Sequence, residues 1–277
     1  RVMDKILGLG TAGCNIASMF EQYPQYEVYK VNSAQKSAQN FFHLEEQPSP
    51  ELYEQNFPDM SGFLQGIHGD LLFVVCGASK ISAASLRILE QLKERCKINV
   101  LFIQPNMMAL PESRRLIARM TFNVFQQYAR SGVFNQMYIV SNEAIEDIVG
   151  GIPVMQYYNK INEIIVSAIH MINIFNNTDS VTDTFSEPYE TARISTFGLI
   201  DVKKNEEKAF FLLDNVREKQ YYYAIETGRL NTDEKLHKKI TDHMASQEAK
   251  SSYGIFSTDY ENDYGYFIAR TSTTQDA

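Results

Sequence analysis

Ser141-Asn142-Glu143-Ala144-Ile145-Glu146-Asp147-Ile148-Val149, then Gly150, Gly151 and Pro153, lead into a segment from about Val154 to Asn176, and this stretch decides the fold. Ile161, Ile164, Ile165, Ala168, Ile172 and Phe175 recur there at three- and four-residue steps. That is the period of one helix face, sustained for about six turns. Val166, Ile169, Met171 and Ile174 fall off the stripe. A helix apolar on most sides belongs in the middle of a protein, so a long central helix is expected over about 154–176. Tyr158 and Asn162 stand four apart near its start and share a face.

Working backward, Met137 to Val140 reads as a strand that delivers Asn142. Lys5–Leu9, Glu27–Val31, Leu71–Val75 and Asn99–Gln104 read as further strands, several of them continuous apolar runs of the kind buried in parallel sheets. Helices are expected from Cys14 to about Phe20, from Ala83 to about Arg95 and from Glu112 to about Ser131. Residues 41–69, with Pro48, Pro50 and Pro58, read as loop and short helix. Strands alternating with helices define an α/β fold with a parallel, Rossmann-like sheet. Ligands of such sheets lie beyond the carboxyl ends of the strands. Gly10, Gly77, Pro105 and Asn142 all follow strands and are expected on one side of the sheet.

Gly8-Leu9-Gly10-Thr11-Ala12-Gly13 is a glycine-rich turn between a strand and a helix. Such a turn lets backbone N–H groups approach a phosphate, with the helix N-terminus adding positive partial charge. It is also a complete G-x-G-x-x-G, which keeps a Rossmann-type NAD-binding enzyme as an alternative. NAD requires an acid after the second strand, and Asn32-Ser33 follow it instead. After Val75 comes Cys76-Gly77-Ala78-Ser79-Lys80-Ile81-Ser82. Ser79, Lys80 and Ser82 can meet an anion at a helix start, or Ser79 or Ser82 can be an N-cap beside a solvated lysine. Glu112 opens a helix, where an acid near the positive dipole end is common.

The 277 residues suffice for a large core and one or two domains. With 26 basic against 34 acidic residues, the net charge of −8 argues against direct nucleic-acid binding. No apolar run approaches a membrane span, and no signal peptide is evident. The opening Arg1-Val2-Met3 leaves open whether the natural start lies upstream. Cys14, Cys76 and Cys96 show no CxxC spacing, which suits a reducing cytoplasm and no structural zinc or other metal site. His68, His170, His237 and His243 have no partner spacing that suggests catalysis.

The loop carrying Asn142-Glu143-Ala144, the short helix and the long core helix together resemble the tubulin/FtsZ superfamily. The resemblance implies that Asn142, Tyr158 and Asn162 hold guanine. An Asn amide donates and accepts in one plane, and a Tyr ring offers a stacking face. On the residues alone, Tyr158 reads equally well as a core aromatic and the two Asn as helix-end residues. The family's glycine loop ending in Asn is matched by Gly8, Gly10, Gly13 and Asn15, with Thr11 in the same turn. Its second phosphate loop, Gly-Gly-Gly-Thr-Gly, is reduced here to Gly77, with Ser79 and Lys80 nearby. Glu112 matches a family Glu beside the ribose, but Leu116 stands where an Arg would follow.

Beyond Asn177, strands are expected over Arg193–Val202, Lys208–Leu213, Lys219–Ile225, Ser252–Phe256 and Tyr264–Thr271, and a helix over Asp233 to about Glu248. A tail is expected from Thr271 onward. This part resembles the smaller α+β domain of FtsZ, so 1–177 and 178–277 are expected as two domains. Glu187 and Glu190, in the loop after the core helix, have the spacing of the family's catalytic acids, which act on the next subunit's nucleotide. Without the resemblance they read as a solvated acidic loop. The resemblance implies a self-assembling filament or scaffold protein of the cytoplasm (a host cytoplasm if phage-encoded). It would bind GTP or GDP, with Mg²⁺ accompanying GTP, in a degenerate pocket with weak or absent hydrolysis. The alternative within the fold is a pseudo-GTPase that binds no nucleotide and assembles with another structural protein.

Overall fold

The structure is a computed structural model and describes residues 3–277. The first half runs β1 (Lys5–Leu9), α1 (Gly10–Met19), β2 (Glu27–Asn32), β3 (Phe41–His43), α2 (Pro50–Gln55), α3 (Ser61–Leu64), β4 (Gly69–Cys76), α4 (Ser85–Leu92), β5 (Cys96–Gln104), α5 (Glu112–Arg130), β6 (Gln136–Ser141), α6 (Asn142–Val149) and α7 (Tyr157–Asn176). The second half runs β7 (Thr182–Asp183), β8 (Ile194–Ile200), β9 (Glu207–Ala209), β10 (Val216–Glu226), α8 (Thr227–Thr232), α9 (Leu236–Ser246), β11 (Lys250–Thr258) and β12 (Tyr264–Thr271). Among the described residues, no helix is long and apolar enough to cross a membrane.

The strands form one sheet in the order β3-β2-β1-β4-β5-β6-β8-β12-β10-β11-β7, with β9 beside β8. The first six are parallel. The rest are mixed, β12 lying antiparallel between β8 and β10. The seam is narrow: β6 and β8 pair only at Met137↔Ile194 and Tyr138↔Ser195. Hydrogen bonds beside it, from Thr196 Oγ1 to Ile139 O at 2.7 Å and from Gln136 Nε2 to Ala192 O at 3.1 Å, and shared packing hold the halves together. Ile161, Ile165 and Ile169 of α7 share one core with Leu72 and Val74 of β4 and with Phe197, Tyr222 and Ile268 of the second half. On the other face, α4 and α5 bury Ile88, Phe122 and Phe125 against Phe73 and Phe102.

The apolar stripe of α7 is buried as its period requires, and even its polar residues His170 and Asn173 are buried. Asn173 Nδ2 donates to the Tyr26 hydroxyl at 3.1 Å, and that hydroxyl lies 2.7 Å from His170 Nδ1. Burial lowers the His170 pKa and keeps the ring neutral, so this pair of buried polar residues is satisfied without charge.

Three expectations change. Helix α1 starts at Gly10 rather than Cys14, because Gly10 takes φ +76 and turns the chain into the helix directly from β1. A 3₁₀ turn over Lys80–Ala84 precedes α4, so neither Ser79 nor Ser82 caps an α-helix; the Ser82 hydroxyl donates to Ser79 O at 2.6 Å. The residues after Thr271 are not a loose tail. Gln275 is buried, and its backbone exchanges two hydrogen bonds with the Gln126 side chain of α5, at 3.0 and 2.5 Å. Its own amide pairs with the backbone of Asp214 at 2.7 and 3.3 Å. Gln126→Ala would strand a buried N–H and a buried C=O, at a cost of about 2 kcal/mol. Urea denaturation checks this, and a loss under about 0.5 kcal/mol would mean the clasp is idle.

Candidate functional site

A cleft of ≈ 1140 Å³ opens at the carboxyl ends of the parallel strands. Its floor is Leu9, Thr11, Ala12, Asn15 and Ile16, where β1 passes into α1. Helix α1 starts at this floor without a side-chain cap, so no side chain takes up the N–H groups of its first turn. One wall is the turn after β4, with Ala78, Ser79, Lys80 and Ile81, joined by Arg114 from the start of α5. The Arg114 Nε donates to Ala78 O at 3.4 Å and ties the two together. Opposite stand Asn142 of α6 and Tyr158 and Asn162 of α7. The rim comes from Asn32 at the end of β2, from Ser33 after it, and from Glu46, Gln47 and Tyr53 of the proline-rich segment.

The structure thus brings Thr11, Asn15, Ser79, Lys80, Asn142, Tyr158 and Asn162 into one cleft. Ser141 Oγ caps α6 by accepting from Ala144 N at 3.2 Å, which sets Asn142 at the helix start. Asn142 is 9% exposed, and its Oδ1 is buried without a hydrogen-bond partner. Asn162 also has no partner among the described residues, and the Tyr158 ring is 67% exposed. Tyr157 beside it donates to Glu146 Oε2 at 3.0 Å, pinning the start of α7 to α6. Burial first, then the Glu146 carboxylate, push the Tyr157 pKa up to about 12, so this donor keeps its proton. Burial likewise raises the pKa of the Cys76 thiol, which lines the cleft un-ionised.

Five expected residues do not line the cleft. A Cβ on Gly8 would lie 2.5 Å from Gly13 O, and one on Gly13 would lie 2.4 Å from Val74 O. These glycines let α1 pack directly on β1 and β4. A Cβ on Gly77 would meet the Phe102 ring at 2.3 Å, so Gly77 serves the core. Glu112 is exposed in the first turn of α5, and Arg114, two residues on, takes the cleft position. Gly10 lies behind the floor. A Cβ there would be 2.9 Å from Ile81 Cγ2 and 3.7 Å from Ser79 Oγ, so the turn after β4 folds directly onto it.

Glu187 and Glu190 are exposed in the loop between α7 and β8, away from the cleft of their own chain. Between them, Tyr189 N donates to the Glu218 carboxylate at 3.1 and 3.3 Å, while its ring lies 4.4 Å from the Arg217 guanidinium. Among the described residues, no group of three or more His, Cys, Asp or Glu side chains is placed to hold a metal ion. The sequence reading missed the rim. Ser49-Pro50-Glu51 carries a signal for it, a capping Ser followed by Pro at the first helical position, and Ser49 Oγ does accept from Leu52 N at 3.3 Å.

No protein-family model matches the sequence, and no curated protein matches it significantly. Solved structures match over nearly the whole chain. TubZ of Bacillus thuringiensis serovar israelensis, in a GTPγS-form protofilament, is 13% identical with a TM-score of 0.71, covering 99% of this chain and 88% of that one. CetZ1 from Haloferax volcanii, a GDP-bound monomer, is 15% identical with a TM-score of 0.70, covering 99% and 95%. An empty FtsZ dimer from M. jannaschii is 12% identical with a TM-score of 0.69, covering 98% and 88%. The chain therefore has the tubulin/FtsZ fold, a mostly parallel α/β sheet about a central helix. The cleft described above lies at the strand ends of that fold.

Proposed function

We propose that the cleft receives a guanine nucleotide weakly and that the chain assembles head to tail with copies of itself. The carrying observation is the buried, unpartnered Oδ1 of Asn142, with the unpaired amide of Asn162 and the exposed Tyr158 ring in the same cleft. A buried acceptor without a partner costs on the order of 1–3 kcal/mol. Guanine recovers that cost, since its base edge carries adjacent N–H donors. Tyr158 offers the base a stacking face, and Asn162 completes an in-plane pair of hydrogen bonds.

A bound GTP, with its Mg²⁺, would supply the scissile phosphoanhydride. The chain's own groups at that end are the first-turn N–H groups of α1, the Thr11 and Ser79 hydroxyls, Lys80 and Arg114. They bind and neutralise phosphate. They do not wrap it, because Ile81 lies against Gly10 where a glycine loop would leave backbone N–H groups open. Phosphoryl transfer depends on positioning and charge stabilisation of the phosphates, so hydrolysis is slow or absent. The same contact favours a second reading, a pseudo-GTPase that keeps the assembly and dispenses with the ligand.

The loop Thr178–Thr191 carries Asp179, Asp183, Glu187 and Glu190, and the cleft face carries Lys80 and Arg114. Stacked heterologously, the acidic loop of one subunit meets the basic cleft face of the next, and such contacts propagate. Calorimetry with GTP, GDP, ATP and NAD tests the ligand, and GTP or GDP is expected to bind best. Sedimentation and electron microscopy at rising concentration test the assembly, which Lys80→Glu should weaken about tenfold. Equal ATP or NAD binding would defeat the guanine reading. A chain that stays monomeric at low salt would defeat head-to-tail assembly.

A further inference from the structure

Glu218, Gln220 and Tyr222 follow one another at two-residue steps along β10 and so stand on one face of the sheet. Each holds a different point of the segment that leaves α7. The Tyr222 hydroxyl donates to Asn176 Oδ1 at 2.8 Å, at the last residue of α7, and the Phe185 ring lies 5.2 Å from the Tyr222 ring. Gln220 Nε2 donates to Ser186 O at 3.3 Å. The Glu218 carboxylate accepts from Tyr189 N at 3.1 and 3.3 Å. The segment therefore runs back along β10. The exposed Glu187 lies between the two tethered residues, and the exposed Glu190 directly follows the second.

The direction of the Gln220 amide is set from behind. Arg270 of β12 is 6% exposed, stands directly across from Glu218, and its Nη1 donates to Gln220 Oε1 at 2.8 Å. A guanidinium can only donate. Gln220 must therefore turn its oxygen to Arg270 and its NH₂ group to the loop, where Ser186 O needs a donor. Glu218 and Arg270 are both buried, and apolar residues in their places would pack without the cost of desolvating two charges. What the polar set supplies instead is a fixed path for the loop.

We propose that Glu218, Gln220 and Arg270 are positioning residues, which hold the Glu187–Glu190 segment outward in the conformation that enters the cleft of the next subunit. This rests on the head-to-tail reading above. A free loop would lose its conformational freedom on docking, whereas a loop already tethered at Ser186 and Tyr189 has lost it beforehand, so the contact is preorganised.

Gln220→Glu separates positioning from charge and from stability. Its carboxylate still accepts from Arg270, now as a charged pair, so urea denaturation should show stability held or raised. It cannot donate to Ser186 O, so the loop loses that tether. Extra negative charge beside the acidic loop would by itself strengthen attraction to Lys80 and Arg114 of the next subunit. Loss of positioning acts the other way, and sedimentation at rising concentration should show assembly weakened about tenfold. Hydrogen exchange of the monomer gives a second readout. In the wild type the Tyr189 amide should exchange about tenfold or more slowly than those of Glu187 and Glu190, and Gln220→Glu should remove most of that protection. A Gln220→Glu chain that assembles as well as the wild type overturns the proposal alone. So does an unprotected Tyr189 amide in the wild type, a result that no variant's folding can confound. A wild type that never assembles, with Tyr189 protected, defeats the head-to-tail reading and reduces the three residues to a structural clamp.

Discussion

Gly13→Ala is expected to cost about 3 kcal/mol of stability, in the range of overpacked core substitutions. The added Cβ would stand 2.4 Å from Val74 O and 3.2 Å from Val74 C, and both are backbone atoms of the central strand β4. A flexible side chain could swing aside, but a strand paired on both edges cannot, so α1 must lift off the sheet. Gly62→Ala is the control. Nothing lies within 4 Å of a Cβ there, and the position is in a short helix, so alanine should be neutral or stabilise by about 0.5 kcal/mol. Urea denaturation of the ligand-free chain reads both. If Gly13→Ala left the ligand-free stability intact and lowered only nucleotide affinity, the glycine would belong to the phosphate site and the packing account would fall.

Asn142→Ala is expected to weaken GTP binding about 10- to 30-fold, while ligand-free stability stays level or rises by about 1 kcal/mol. The two halves of that expectation share one cause. Without ligand, Asn142 Oδ1 is buried and unpartnered, so removing it relieves a penalty. With guanine bound, the same atom would be paired, so removing it forfeits that pair. Asn162→Ala should weaken GTP to a similar degree, because its amide has no partner to lose among the described residues. ATP affinity should hardly move in either variant. Calorimetry gives the affinities and urea denaturation the stabilities. A loss of stability on Asn142→Ala would make Asn142 a structural residue, and unchanged GTP affinity in Asn162→Ala would end the guanine reading.

Much of the architecture was legible because it follows from local periodicity. The stripe Ile161–Phe175 set α7 in the core, and continuous apolar runs set β1, β4 and β5 in a parallel sheet. Parallel strand direction then put the turns after β1 and β4, Pro105 and Asn142 at one end, since every strand of a parallel sheet presents the same end to the same side. Asn142 and Asn162 were singled out by the resemblance to the tubulin/FtsZ superfamily; on the residues alone they read equally well as helix-end residues.

What the sequence could not say was which function each glycine served. Gly8, Gly10, Gly13 and Gly77 look alike in a motif, yet three of them make room for Gly13 O, Val74 O and the Phe102 ring, and only the packed structure supplies those neighbours. The residues past Thr271 read as a tail because burial of Gln275 depends on Gln126, 149 positions away. The rim at Glu46 and Tyr53 was hidden in a proline-rich stretch with no helical or strand period of its own. The exposed row of α5, Leu116, Met120, Val124 and Tyr128, was hidden for the opposite reason: it has a helical period, but so do the core residues beside it. Sequence fixes which residues share a helix face, whereas tertiary packing alone decides which of two apolar faces is turned inward.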